Sequence, residues 1–307
     1  MRRRVATAFF STALVAATLV AGACSDDAEL FPTTTPSTDT SGRSASTTTA
    51  DTATTDDDGV AGAAGVGDPY FPTLGNGGYD VQHYDLELTI DGADIVATVT
   101  IEAIATEALD TFDLDFATFA IDGLDVDGEP APHRLDGDEL VIDPEAVLET
   151  DQAFVVQVRY HGRPRPMASG VLGTLGWQDL GGVTFVSDEP NGAHTWFPSN
   201  DHPSDKAAYR VAITVPQGTV AVASGVLVSQ QDDGARRTWV WEQREPVPTY
   251  VLALAIGPLT LVESDGPHGI HIRHAFAPCG GAGGNRGVQR HRPDDHRPRV
   301  DVRAVPV

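Results

Sequence analysis

Asp85-Leu86-Glu87-Leu88-Thr89-Ile90-Asp91-Gly92 alternates polar and apolar residues with a period of two and ends on a turn dipeptide. Leu86, Leu88 and Ile90 share one face of an extended chain; Asp85, Glu87 and Thr89 share the other. That is the pattern of a strand buried on one side only. The same texture recurs at Phe154, Val156, Val158 and Tyr160, and at Val211, Ile213 and Val215. Turn signals punctuate the runs: Asp91-Gly92, Asp122-Gly123, Asp127-Gly128, Asp136-Gly137, Gly181-Gly182 and Asp233-Gly234. No long amphipathic helical period interrupts them. About a dozen short strands over some 200 residues predict an all-β fold, an antiparallel β-sandwich or a curved, saddle-like sheet.

Two segments precede this region. Arg2, Arg3 and Arg4 lead into an apolar run from Val5 to Val20, about sixteen residues and short for a spanning helix. Val20-Ala21-Gly22-Ala23-Cys24 follows, which resembles the lipobox of bacterial lipoproteins. The reading is a lipoprotein signal peptide at 1–23 with Cys24 as the lipidation site, placing the chain on the outer side of a cell membrane. From residue 24 to 68 the chain is rich in Thr, Ser, Asp, Ala and Gly, as in Asp56-Asp57-Asp58. Such a stretch buries too little surface to offset its ordering entropy, so it reads as a disordered tether. The folded region is expected at 69–277. Beyond it, residues 278–307 hold no Leu, Ile, Phe, Tyr or Trp but six arginines, from Arg286 to Arg303. The expected source of that composition is a shifted reading frame in GC-rich DNA, which yields Arg, Pro, Gly, Ala and His; a basic disordered tail is the alternative.

The whole chain has 307 residues, with 44 acidic against 20 basic side chains and a formal charge of −24. Binding a phosphate backbone needs a basic surface, so nucleic acid is excluded as partner. Two cysteines are too few for a disulfide scaffold. Catalytic signatures are scarce: there is no H-E-x-x-H, no G-x-S-x-G, no P-loop and no G-x-G-x-x-G. His268, His271 and His274 are three apart, but on a strand His271 and His274 point to opposite faces, so a metal site is not expected there. Asp122, Asp125 and Asp127 are spaced like part of a calcium loop, yet its glycine position would fall on Pro130; a hairpin turn is expected instead. The densest polar cluster runs from Ser187 to Tyr209 and mixes carboxylates, the Trp196-Phe197 pair and three prolines.

Three segments, taken in order, resemble the N-terminal β domain of the aminopeptidase N family of zinc metallopeptidases. Tyr79 to Leu86 looks like its opening strand. Glu189-Pro190, Ala193, Trp196-Phe197-Pro198, Asp201, Pro203, Lys206-Ala207 and Tyr209 look like its most distinctive segment. Ser224-Gly225 and Pro248 to Gly257 look like its closing strands. Ser199 departs from the pattern, where relatives often carry Cys. The resemblance implies a zinc catalytic domain beyond this one, with a G-x-M-E-N loop and H-E-x-x-H ligands, none of which occurs here. It implies zinc in the intact enzyme and none bound by this chain, which as written is expected to be inactive. It implies one site residue: Glu189, the carboxylate that grips the free α-amine of a peptide N-terminus. The expectation is thus the front portion of a membrane-anchored aminopeptidase. The alternative is a complete, non-catalytic, lipid-anchored β module, whether for binding or as a structural lipoprotein of the envelope.

Overall fold

A computed structural model describes residues 59–278 except Thr118 and Val171. The expected signal peptide, Cys24, most of the tether and nearly all of the basic tail lie outside the described residues. Those residues form nineteen strands and three single-turn 3-10 helices. The all-β expectation holds.

The period-two alternation becomes a row of side chains across an eight-stranded sheet. Leu86, on the strand Tyr79–Asp91, pairs with Val99 on Asp94–Ala105 and with Val211 on Lys206–Pro216. Val99 pairs in turn with Val158 on Ala153–Gly162, and Val158 with Leu124 on Ala120–Val126. On the other side Val211 pairs with Trp241 on Arg236–Pro248. All six side chains are buried, so one apolar ridge crosses six strands. Val226–Asp232 and Glu129–Pro130 complete the sheet at its edges. Its pairings are antiparallel except one: Tyr79–Asp91 and Lys206–Pro216 run parallel.

A five-stranded antiparallel sheet covers the other side of the core, in the order Met167–Ser169, Gly173–Leu180, Val183–Ser187, Leu254–Gly257, Val220–Ala223. Trp177, Val186, Ala221 and Ile256 bring its inner face into the same apolar core. Trp241 joins the two layers, donating from Nε1 to the Ala221 carbonyl at 3.2 Å. A smaller four-stranded sheet adds Phe112, Leu114, Leu140 and Ile142 to the core. Tyr79, Phe112 and Phe154 meet there edge to face.

Most turn dipeptides sit where expected, with positive φ at Gly92, Gly128, Gly137 and Gly234 and at both Gly181 and Gly182. Asp122-Gly123 is different. It lies inside the strand Ala120–Val126, at a register shift between Ile121 and Gly123. Gly123 leaves room for the Arg159 guanidinium, whose Cζ would stand 3.1 Å from an added Cβ. The glycine marks a close approach rather than a reversal.

The last residues assigned by composition to the tether also behave differently. Val60–Ala61 adds to the four-stranded sheet beside Leu109 and Thr111. Gly62 N then donates to Thr111 O at 2.8 Å, and Gly77 N to Ala63 O at 2.8 Å. Backbone groups make these bonds, so a chain poor in apolar residues can still dock at a sheet edge.

Trp241 is fully buried and bonded across both layers. Replacing it by alanine should cost about 3–5 kcal/mol through the cavity and the lost transfer energy. A urea titration of the folded region read by far-UV circular dichroism measures this directly.

Candidate functional site

The segment after Val183–Ser187 is held by hydrogen bonds to buried groups. Gly192 N donates to Asp188 O at 2.6 Å, closing a tight turn with Glu189 and Pro190 at its tip. The Glu189–Pro190 peptide is cis. Asp188 is buried and accepts from Trp196 Nε1 at 3.1 Å. A Cβ on Gly192 would stand 2.8 Å from the Gly176 nitrogen, so only glycine lets the turn pack on the neighbouring strand. Glu189 itself is exposed, and its carboxylate makes no hydrogen bond or ion pair among the described residues. The arrangement is an unpaired carboxylate on the outward tip of a turn whose root is buried.

Behind that turn lies a network centred on Asp201. Its Oδ2 accepts from His194 N at 3.0 Å and stands 2.9 Å from His194 Nδ1. Its Oδ1 accepts from Thr249 Oγ1 at 2.6 Å. Asp201 N donates to Asp115 Oδ2 at 2.8 Å, and Asp115 and Ser199 exchange both backbone hydrogen bonds. Asn200 Nδ2 donates to Asp205 Oδ2 at 2.7 Å and to Asn76 O at 3.0 Å. Tyr160 OH reaches Trp196 O at 2.7 Å, and Asn200 N donates to Tyr84 OH at 3.0 Å. Phe197 lies edge-on to Tyr84, which stacks on Tyr209. The Ser187 to Tyr209 cluster is therefore chiefly a scaffold, and its outward tip offers an exposed carboxylate.

Burial sets the protonation of this network. It pushes the Asp115 carboxyl up to about 8, with the neighbouring Asp201 charge adding to the shift. It pushes Asp205 and Glu139 up to about 7, and Asp188 well above the carboxylate range. For His194 burial works against the charged ring, but the Asp201 hydrogen bond and charge outweigh it and its pKa is raised.

The other candidates do not converge. His271 and His274 lie on the strand His271–Phe276 three residues apart; His274 stacks on Phe276 and His271 stands 3.8 Å from Glu263. His268 sits in a separate turn with φ of 61°. Asp122 pairs with His161, Asp125 with Arg159, and Asp127 Oδ1 accepts from Val155 N at 2.8 Å, as a hairpin requires. Among the described residues no group of three or more His, Cys, Asp or Glu side chains is placed to hold a metal. Those residues do not fit the zinc that the resemblance implies. Sequence reasoning missed Asp115 and Glu139. The one signal was an acid in the apolar run Phe112-Asp113-Leu114-Asp115-Phe116.

The family profile described as the Peptidase M1 N-terminal domain matches residues 80–251. The chain belongs to this family. Leukotriene A-4 hydrolase of Xenopus laevis is 25% identical over 197 residues, which are 59% of this chain and 32% of that protein. Putative aminopeptidase-2 of Caenorhabditis elegans is 27% identical over 206 residues, 62% of this chain and 10% of that protein. Among solved structures, the M1 zinc metallopeptidase of Deinococcus radiodurans superposes with a TM-score of 0.66 at 32% identity, covering 73% of this chain and 53% of that one. A mutant of that enzyme bound to a Tyr-Ser-Ala substrate gives a TM-score of 0.65 at 30% identity, covering 70% and 52%. The chain thus spans a third or less of these curated relatives and about half of the solved metallopeptidases.

Because the buried acids hold protons more tightly when folded, their stabilising contribution is full below an ordinary carboxylate pKa near 4. It is lost as pH climbs through 7 and 8, where Asp205, Glu139 and Asp115 ionise. His194, also raised, acts in the same direction. Asp232 and Glu263, held below the carboxylate range by their arginine partners Arg237 and Arg273, oppose this only at strongly acid pH. The urea midpoint should therefore be higher at pH 5.5 than at pH 8.5; a flat or rising profile contradicts the assignment.

Proposed function

We propose that this chain is the N-terminal β domain of a membrane-anchored zinc aminopeptidase, with Glu189 as its contribution to substrate binding. The family match over residues 80–251 carries the reading. In it, the domain forms one wall of a cleft and a zinc catalytic domain forms the other. Glu189 meets the ammonium group of a peptide N-terminus. By holding that amine, Glu189 would let a zinc domain measure off one residue and select exopeptidase cleavage. What supports the role is placement: an unpaired carboxylate at an exposed tip whose neighbours, Asp188 and Gly192, are locked. In the open, one ion pair contributes little; inside a closed cleft the same pair is desolvated and stronger. The polypeptide alone, without a zinc domain, should hydrolyse no aminoacyl p-nitroanilide above background.

Anchoring follows from Cys24. Each methylene of an attached acyl chain contributes about 0.8 kcal/mol of membrane affinity, so several chains hold the protein firmly on the outer side of the membrane. The tether then lets the domain work above the surface.

The reading is tested by translating the gene beyond the codon for Phe276 in all three frames. It expects G-x-M-E-N and H-E-x-x-H in one of them; their absence from every frame favours the stand-alone lipid-anchored module. In the enzyme so reconstructed, Glu189→Gln should raise KM for peptides with a free N-terminus about tenfold or more, leaving N-acetylated peptides equally poor substrates. Cys24→Ser should move the chain from the detergent-soluble membrane fraction to the aqueous one.

A further inference from the structure

Where the segment before Tyr79 meets the loop after Phe197, a serine, a histidine and a carboxylate are linked in series. Ser204 Oγ stands 2.7 Å from His202 Nδ1, and His202 Nε2 stands 3.3 Å from Asp68 Oδ2. The backbone fixes the direction of this relay. Ser204 N lies 3.2 Å from the same Nδ1. An amide can only donate, so Nδ1 is the bare, accepting nitrogen and Nε2 carries the proton. Nε2–H then donates to Asp68, and the Ser204 hydroxyl donates to Nδ1. Each member is held in place. Asp68 Oδ1 accepts from Tyr70 N at 2.7 Å and Phe71 N at 3.2 Å. Those bonds, chiefly the one from Tyr70, hold its carboxyl below the ordinary range and leave Oδ2 to the ring. The His202 side chain is 11% exposed and packs on Gly75, where an added Cβ would collide with the His202 Cβ. Ser204 is exposed and stands on the wall of a cavity of about 610 Å³. A simple turn needs only the Ser204 amide on Nδ1. It needs neither a hydroxyl at a cavity wall nor a carboxylate from 134 positions away.

We propose that Ser204, His202 and Asp68 form a nucleophilic triad that cleaves small carboxylic esters at this cavity, an activity separate from that of the Glu189 turn. Ser204 Oγ attacks the ester carbonyl carbon while its proton passes to His202 Nδ1. Asp68 stabilises the imidazolium that forms. The tetrahedral adduct collapses with loss of the alcohol, which takes the proton from Nδ1 and leaves the acyl group on Ser204. Water then gives a proton to Nδ1 and adds its oxygen to the acyl carbon. Ser204 Oγ departs with that proton, so the products are one acid and one alcohol. The two ring nitrogens exchange their usual roles, which the imidazole permits because either can accept while the other donates. The amides of Val66 and Gly67, on the same wall, donate to nothing among the described residues and are at hand for the developing negative oxygen. An ester is the substrate class because an alkoxide leaves more readily than an amide nitrogen from a site open to water.

A fluorophosphonate probe added to the full-length chain, followed by peptide mass spectrometry, tests the nucleophile, and p-nitrophenyl acetate tests turnover. The phosphonyl group should add to Ser204. The ester rate should exceed that of a Ser204→Ala chain by about tenfold or more. That variant keeps the Ser204 amide on Nδ1 and changes an exposed side chain, so its circular dichroism should match the parent. Asp68→Asn, checked for folding in the same way, should label about tenfold more slowly. An unlabelled Ser204, a label carried by another residue instead, or an ester rate kept by Ser204→Ala overturns the proposal. So does full-rate labelling of a folded Asp68→Asn chain. Should Asp68→Asn unfold, the Ser204→Ala comparison decides alone.

Discussion

The buried carboxylate of Asp201 organises the structure around the candidate site. It joins the backbone and ring of His194, the hydroxyl of Thr249 and, through its own amide, the carboxylate of Asp115. Those partners belong to three separate parts of the chain. Each is a donor or acceptor that would otherwise be buried without a partner, at about 1–3 kcal/mol apiece. The loop after Phe197 therefore has one low-energy path, and Trp196 and Phe197 are carried with it into the core.

This network is unusual in its charge. Carboxyls at Asp115, Asp188, Asp201 and Asp205 lie inside an already acidic protein, with His194 as the buried basic partner of Asp201. Burial alone makes such a cluster costly. Backbone amides and shared protons lower that cost, and the result is stiffness rather than net stability. Stiffness is what an exposed carboxylate needs if it is to meet an ammonium without losing entropy on binding. Glu189 stands one residue from buried Asp188, so its backbone position is inherited from the core even though its side chain faces solvent.

The segment before Tyr79 shows how composition and position diverge. Residues 59–68 hold few large side chains, yet they dock by main-chain hydrogen bonds beside Leu109–Asp115. Asp68 then accepts from Tyr70 and Phe71 amides and pairs with His202, linking this strap to the loop that carries Asp201. The strap and the network are thus in contact through Asp68 and His202.

Alternation of Leu86, Leu88 and Ile90, and of the matching runs, determined the strands and their buried faces, because side-chain direction in an extended chain depends only on position parity. Dipeptides such as Asp91-Gly92 and Gly181-Gly182 determined reversals, because few other residues accept positive φ. Three segments in order, with the motif from Glu189 to Tyr209 the most distinctive, carried the resemblance to the family. Tertiary structure alone decided which strands are neighbours, including the parallel pairing of Tyr79–Asp91 with Lys206–Pro216, since alternation specifies a face and not a partner. It also decided that Asp122-Gly123 is a bulge, because the shift in register arises against Ala153–Gly162, a strand distant in sequence. The bond from Asp201 to Asp115 spans 86 residues and that from Asn200 to Asn76 spans 124, so no local pattern encodes them; they exist because folding brings their elements together in a space that water has left.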